Sequence, residues 1–169
     1  MKKIKTVLLA LMLLVVSSAA VHSGELKREY YPNGTLRSEW YEENGKTEGI
    51  KKWYYGDGTL SKEENYVDGK QEGRARDYTP KGQLSFEGNF KNGKKEGAIK
   101  TYYENGQVYL EENYKEGKLD GAVKKYFPNG RLQYINEYRK GKKITTKAYD
   151  KKGKLVFSQD YKNIESSEQ

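Results

Sequence analysis

The chain has 169 residues, no cysteine, one histidine, 34% hydrophobic and 33% charged side chains, and a formal charge of +8. Without cysteine there is no disulfide frame and no thiolate metal site, and so little apolar material excludes a thick, dry core. Aromatic residues nevertheless make up 13%, with 16 Tyr against 4 Phe and 2 Trp, which argues against disorder and for a thin sheet whose covering stays wet.

At the N-terminus, Lys2, Lys3 and Lys5 precede an apolar run from Val7 to Val16 and the small residues Ser17, Ser18, Ala19 and Ala20. This is the order of a secretory signal peptide. Residues 1–23 are read as that leader, with cleavage after Ser23 or, alternatively, after Ala20. An uncleaved anchor is the rival reading, although the run is short for a bilayer span. No cysteine follows the run, so a lipid-anchored form is excluded. Removal of residues 1–23 leaves 29 basic and 24 acidic residues, a net +5, and takes away His22. That balance is mild for an exported protein and does not itself imply a nucleic-acid partner.

From Glu25 to Tyr161 one unit recurs. Gly34, Gly58, Gly82, Gly106 and Gly130 stand 24 residues apart, and Gly153 follows after 23. Gly45, Gly69, Gly93, Gly117 and Gly141 form a second column, and Gly49, Gly73, Gly97 and Gly121 a third. Tyr30, Tyr54, Tyr78, Tyr102, Tyr126 and Tyr149 keep step, as do Leu36, Leu60, Leu84, Val108, Leu132 and Leu155. Tyr66, Phe90, Tyr114, Tyr138 and Tyr161 form a second aromatic column. So many columns in phase define a repeat protein.

Each unit reads as two strands joined by Asn-Gly, Asp-Gly or similar turns, which tolerate positive φ. The expected fold is all-β: a single-layer antiparallel meander of six stacked hairpin repeats of about 24 residues, forming an open ribbon about 55–60 Å long. Residues 24–163 make up this domain, and 164–169 a disordered tail. Strict alternation along Val108–Tyr114 places the Leu column and the second aromatic column on one face. The third glycine column is expected to let an aromatic ring lie flat on bare backbone. A single unit buries too little surface to fold alone, so stability grows with repeat number.

The segment Phe86-Glu87-Gly88-Asn89-Phe90-Lys91-Asn92-Gly93-Lys94-Lys95-Glu96-Gly97 resembles the MORN repeat pattern Y-x-G-x-x-x-x-G-x-x-x-G. Other copies, such as Asn65-Tyr66-Val67-Asp68-Gly69-Lys70-Gln71-Glu72-Gly73, resemble the bacterial MORN variant, whose second half fits Tyr54, Gly58 and Leu60, and also Tyr102, Gly106 and Val108. The resemblance covers residue 25 to about residue 161. It implies a single-layer sheet of stacked hairpins with a binding or scaffolding role. Some bacterial relatives carry antitoxin or immunity labels, and some eukaryotic MORN proteins are linked to membrane lipids. The copies here mostly lack the Tyr-x-Gly of the eukaryotic form, which takes weight from the lipid link.

Little in the sequence can carry catalysis. A mature chain without His or Cys has no catalytic triad, no thiol nucleophile and no ordinary zinc site, and no catalytic residue, cofactor or metal is assigned. Glu39, Glu63, Glu87 and Glu111 recur once per repeat, as a ladder of solvated or lysine-paired acids does and a catalytic pair does not. Two surfaces remain for binding. Trp40, Trp53, Tyr55, Tyr103, Tyr109, Phe127 and Tyr134 lie outside the main columns and form a protein-binding strip if they share a face; otherwise they complete the sheet by stacking on one another. Arg139, Lys140, Lys142, Lys143, Lys147, Lys151, Lys152 and Lys154 are opposed only by Asp150 and suit anionic lipid or envelope polymers. Alternatively, these cations guard a terminal strand against aggregation. The expected protein is exported to the periplasm or beyond, is not an enzyme, and binds a protein partner, with edge-to-edge self-association open to it and no nucleic acid.

Overall fold

The structure, a computed structural model, describes residues 24–161. Twelve strands form one antiparallel sheet in chain order: β1 (Glu25–Tyr30), β2 (Leu36–Glu43), β3 (Lys46–Tyr54), β4 (Leu60–Val67), β5 (Lys70–Tyr78), β6 (Leu84–Lys91), β7 (Lys94–Tyr102), β8 (Val108–Lys115), β9 (Lys118–Tyr126), β10 (Leu132–Arg139), β11 (Lys142–Tyr149) and β12 (Leu155–Asp160). β1 and β12 are the two edges of an open meander. No helix occurs among the described residues. The expected leader and the expected C-terminal tail lie outside them.

Two turn chemistries alternate. After each even strand the chain turns in two residues that both have positive φ, as at Asn92 (51°) and Gly93 (75°). This is the type I′ hairpin geometry that matches strand twist. After each odd strand only the glycine is left-handed. At Gly58, for example, φ is 87°, Gly58 N–H donates to the Tyr55 carbonyl at 2.9 Å, and Asp57 Oδ1 accepts the Thr59 N–H at 2.9 Å. All odd-to-even turns therefore line one margin of the sheet, and all even-to-odd turns line the other.

Bulges break the alternation read from the sequence. Tyr102 pairs with Val108 and Thr101 with Leu110, which leaves Tyr109 as an extra residue. Strand partners share a face, so Val108 lies with Tyr102, while Tyr114 lies on the opposite side, under the Lys95 ammonium. The Leu column and the second aromatic column thus occupy different faces. The third glycine column marks a second bulge. Gly73 and Gly121 have φ of 88° and 104°, conformations open to glycine and costly for other residues. Asn65 Nδ2 donates to the Arg74 carbonyl at 3.1 Å, and Asn113 Nδ2 to the Ala122 carbonyl at 2.8 Å. Each of these glycines stands directly across from an aromatic of the second column, Gly73 from Phe90 and Gly121 from Tyr138, while asparagine lies where their missing Cβ would point.

The core is one row of side chains crossing the middle of the sheet. Cross-strand partnerships run through Glu64, Ala75 and Gly88, then through Ile99, Glu112, Val123 and Asn136. Ala75 and Ile99 are 1% exposed, although no second layer covers them. Gly88 explains how Ile99 is buried: a Cβ there would stand 2.3 Å from Ile99 Cδ1 and 3.3 Å from Phe86 Cζ. The missing side chain lets isoleucine lie down in the sheet under a phenylalanine.

Two stability tests follow from this geometry. Ile99→Ala should cost about 2–4 kcal/mol in denaturant unfolding, whereas Ile50→Ala, at a position 47% exposed, should cost under about 1 kcal/mol. Lys140 holds a φ of 49° at the first position of a type I′ turn. Asparagine tolerates that conformation better, so Lys140→Asn should raise stability by about 1 kcal/mol.

Candidate functional site

The two faces of the sheet have different chemistry. One face carries an unbroken cross-strand series in which bases and acids alternate: Arg28, Glu39, Lys52, Glu63, Arg76, Glu87, Lys100, Glu111 and Lys124. Arg28 and Glu39 approach to 3.4 Å, Arg76 and Glu63 to 3.3 Å, and Lys124 and Glu111 to 3.9 Å. The tyrosine column donates into the same ladder. Tyr54 Oη reaches Glu39 at 2.8 Å, Tyr78 reaches Glu63 at 2.9 Å, and Tyr102 reaches Glu87 at 2.7 Å. Of the four glutamates singled out in the sequence, Glu39, Glu63 and Glu111 thus pair with a cation, and Glu87 accepts from the Tyr102 phenol. Opposite charges directly across strands each contribute a few tenths of a kcal/mol.

The other face is aromatic. Cross-strand partners Trp53, Lys62, Asp77, Phe86, Thr101, Leu110, Lys125 and Tyr134 form one row, beside the row of buried residues. Lysines from neighbouring strands lie over the rings. The Lys51 ammonium is 3.9 Å from the Trp40 centroid and 5.2 Å from that of Trp53, and Lys125 is 5.1 Å from Tyr109 and 6.0 Å from Tyr134. Such contacts hold ring and cation in fixed relation. Burial holds the Asp77 carboxyl above the usual aspartate range, with Lys62 opposing the shift and Glu64 adding to it. Among the described residues, no three His, Cys, Asp or Glu side chains are grouped to hold a metal ion. The hollows are open troughs away from this face, one of about 320 Å³ on the ladder side beside Leu26, Arg28, Glu39 and Lys52 and one of about 890 Å³ at the even-to-odd margin, lined by Lys91, Lys94, Glu96, Glu116 and Asp120.

The seven aromatics named from the sequence divide into two groups. Trp40, Trp53, Tyr109 and Tyr134 come together on the aromatic face, Tyr109 by way of its bulge. Tyr55, Tyr103 and Phe127 stand in the odd-to-even turns. There Tyr55 Oη donates to the Tyr78 carbonyl at 2.6 Å and Tyr103 Oη to the Tyr126 carbonyl at 2.7 Å, each tying one turn to the next. Tyr103 also meets Tyr109 edge-on at 5.0 Å. Phe86, Leu110 and Lys51 belong to the aromatic face but escaped the sequence reading, because their columns hold unlike residues in other copies.

The basic stretch divides as well. Arg139, Lys140, Lys142 and Lys143 lie at the even-to-odd margin, and Lys151, Lys152 and Lys154 at the opposite margin, about 27 Å away along an eight-residue strand. Lys147 lies between them, in the register of the charged ladder and opposite Ile135 and Ser158. The cations do not guard the terminal strand itself, since β12 reads Leu-Val-Phe-Ser-Gln-Asp.

A family model described as MORN repeat variant matches residues 26–41, 47–68, 71–92, 95–116 and 119–140. No curated protein matches the chain.

The tyrosine–glutamate pairs make stability sensitive to alkali. Burial first, and then the Glu39 or Glu87 carboxylate, pushes the Tyr54 and Tyr102 phenols from 10.0 up to about 12. A phenol that holds its proton more tightly in the fold than in the unfolded chain stabilises the fold fully below pH 10. That contribution is lost as pH rises through about 12. Replacing both residues, Tyr54→Phe with Tyr102→Phe, should flatten the fall in thermal stability across this window, read by circular dichroism melts.

Proposed function

We propose that this chain, which belongs to the MORN repeat variant family, is an exported, non-enzymatic module that binds a protein partner through its aromatic face. One observation carries the reading. The acids of the charged ladder are engaged by cations or phenols within the sheet, whereas the opposite face presents Trp40, Trp53, Tyr109 and Tyr134 with lysines held against their rings. Large amphipathic rings on a rigid scaffold are the side chains that dominate protein interfaces. Fixed ammonium groups among them favour a partner with exposed carboxylates. The immunity or antitoxin labels of similar bacterial proteins suggest a toxin-like partner, met outside the cytoplasm.

The charge distribution supports a second reading, attachment to an anionic envelope surface. Residues 140–160 carry seven lysines against Asp150 and Asp160, and both margins contribute to that patch. The two readings separate experimentally. Capture of one envelope protein by the immobilised chain should persist at high salt. It should fall roughly tenfold or more with Trp40→Ala and Trp53→Ala together, and be unchanged by Lys142→Gln, Lys143→Gln, Lys151→Gln and Lys152→Gln. The reverse pattern, with salt-sensitive binding to anionic vesicles that is abolished by the lysine changes, would establish the envelope reading instead.

A further inference from the structure

The two ends of the sheet are uncovered among the described residues and unlike. β12 is exposed over its whole length, with Leu155, Val156 and Phe157 at 49%, 61% and 48%. It contains no lysine, arginine or proline, the residues with which natural sheets blunt an edge. At the other end, β1 reads Glu-Leu-Lys-Arg-Glu-Tyr, a charged edge that still exposes Leu26 and Tyr30. Repeat proteins that stay monomeric carry polar terminal caps, and no described element covers either edge.

The topology matches the two ends to each other. Strand direction alternates from β1 to β12, so the first and last strands run in opposite senses. A second copy shifted along the sheet axis brings its β1 antiparallel to β12, just as β5 lies beside β4 and β9 beside β8. The interior pairing also supplies the register. Lys62 faces Asp77, Glu63 faces Arg76, and Glu64 faces Ala75. Carried to the corresponding positions, Phe157 faces Glu29, Ser158 faces Arg28, and Gln159 faces Lys27 of the next copy.

Charge selects this arrangement over its alternatives. Residues 25–43 hold five glutamates against Lys27, Arg28 and Arg37, a net −2, and residues 140–160 have a net +5. The even-to-odd margin repeats the gradient, from −2 over residues 42–48 to +4 over residues 138–144. Joining unlike ends brings opposite fields together, and a tail-to-tail dimer sets +5 against +5.

We propose that the chain stacks head to tail on copies of itself, β12 of one molecule pairing with β1 of the next to continue the sheet. The contact is heterologous and does not close, so it builds an open filament. Its length rises with protein concentration and falls with salt, which screens the end fields over about 8–10 Å.

The absence of cysteine allows a direct test on the full chain. Arg28→Cys and Ser158→Cys, made singly at exposed edge positions, lie opposite each other in this register and within disulfide reach. Under mild oxidation the mixture of the two variants should form a covalent dimer that neither forms alone. Light scattering of the unmodified chain should show mass growing with concentration and shrinking with salt. A covalent dimer of Ser158→Cys by itself would overturn the proposal in favour of tail-to-tail pairing. An unmodified chain that stays monomeric at every concentration, with no mixed product, would overturn it outright.

Discussion

A sheet with no second layer must find its tertiary contacts sideways, and that constraint shapes this molecule. The usual source of stability, apolar area buried between layers, is nearly missing. Its place is taken by bonds from each repeat to the next. On one margin a tyrosine in the turn donates to a carbonyl 23 residues on, as Tyr31 does to Tyr54 at 2.8 Å. On the other margin Glu48, Glu72 and Glu96 accept the N–H of the turn residue 20 residues on, at 2.7–2.8 Å. The turn glycine there donates to the neighbouring strand, as Gly93 does to Gln71 at 2.9 Å. Both margins are thus stapled along their length, and the sheet between them needs only a thin apolar row.

The same constraint accounts for the composition. A side chain in a single layer is never far from water, so the covering must be amphipathic. Tyrosine supplies ring area with a hydroxyl that reaches a glutamate or a carbonyl, and lysine supplies an aliphatic stem with an ammonium that settles over a ring. The two faces reach different balances of these elements. One spends its charges on itself in a ladder of alternating sign. The other holds tryptophans, tyrosines and lysines together in a broad strip, and on that asymmetry the proposed binding role rests. Because the strip is laid out one repeat at a time, its character varies along the sheet, tryptophan-rich near β2 and β3 and tyrosine-rich near β8 and β10.

Continuity is also what leaves the ends exposed. Among the described residues every interior strand has two neighbours, while β1 and β12 each have one. The last strand also departs from the interior even strands, being six residues long with neither glutamate nor lysine. In the proposed stacking these edges are the attachment points, and the charge gradient along the sheet sets which end meets which.

Much of this was legible in the amino-acid sequence. The 24-residue period, the strands, the turn positions and the glutamate column all followed from it, because turn glycines and cross-strand spacing are local properties that a repeat displays many times over. The sides of the sheet were not legible. A single extra residue at Tyr109 moves Val108 away from the face of Tyr114, and in a structure with a side-chain period of two, one such residue reverses every assignment beyond it. The role of Gly73 and Gly121 was legible only in part: each faces an aromatic across the strand pair, and the bulge adds a backbone conformation that itself demands glycine. The basic stretch, continuous in sequence, was parted by a strand's length once β11 carried its two halves to opposite margins. Sequence alone therefore determined the repeating unit and its chemistry. The tertiary structure decided which residues look out together, because that depends on register, and register is settled only when each strand meets its neighbour.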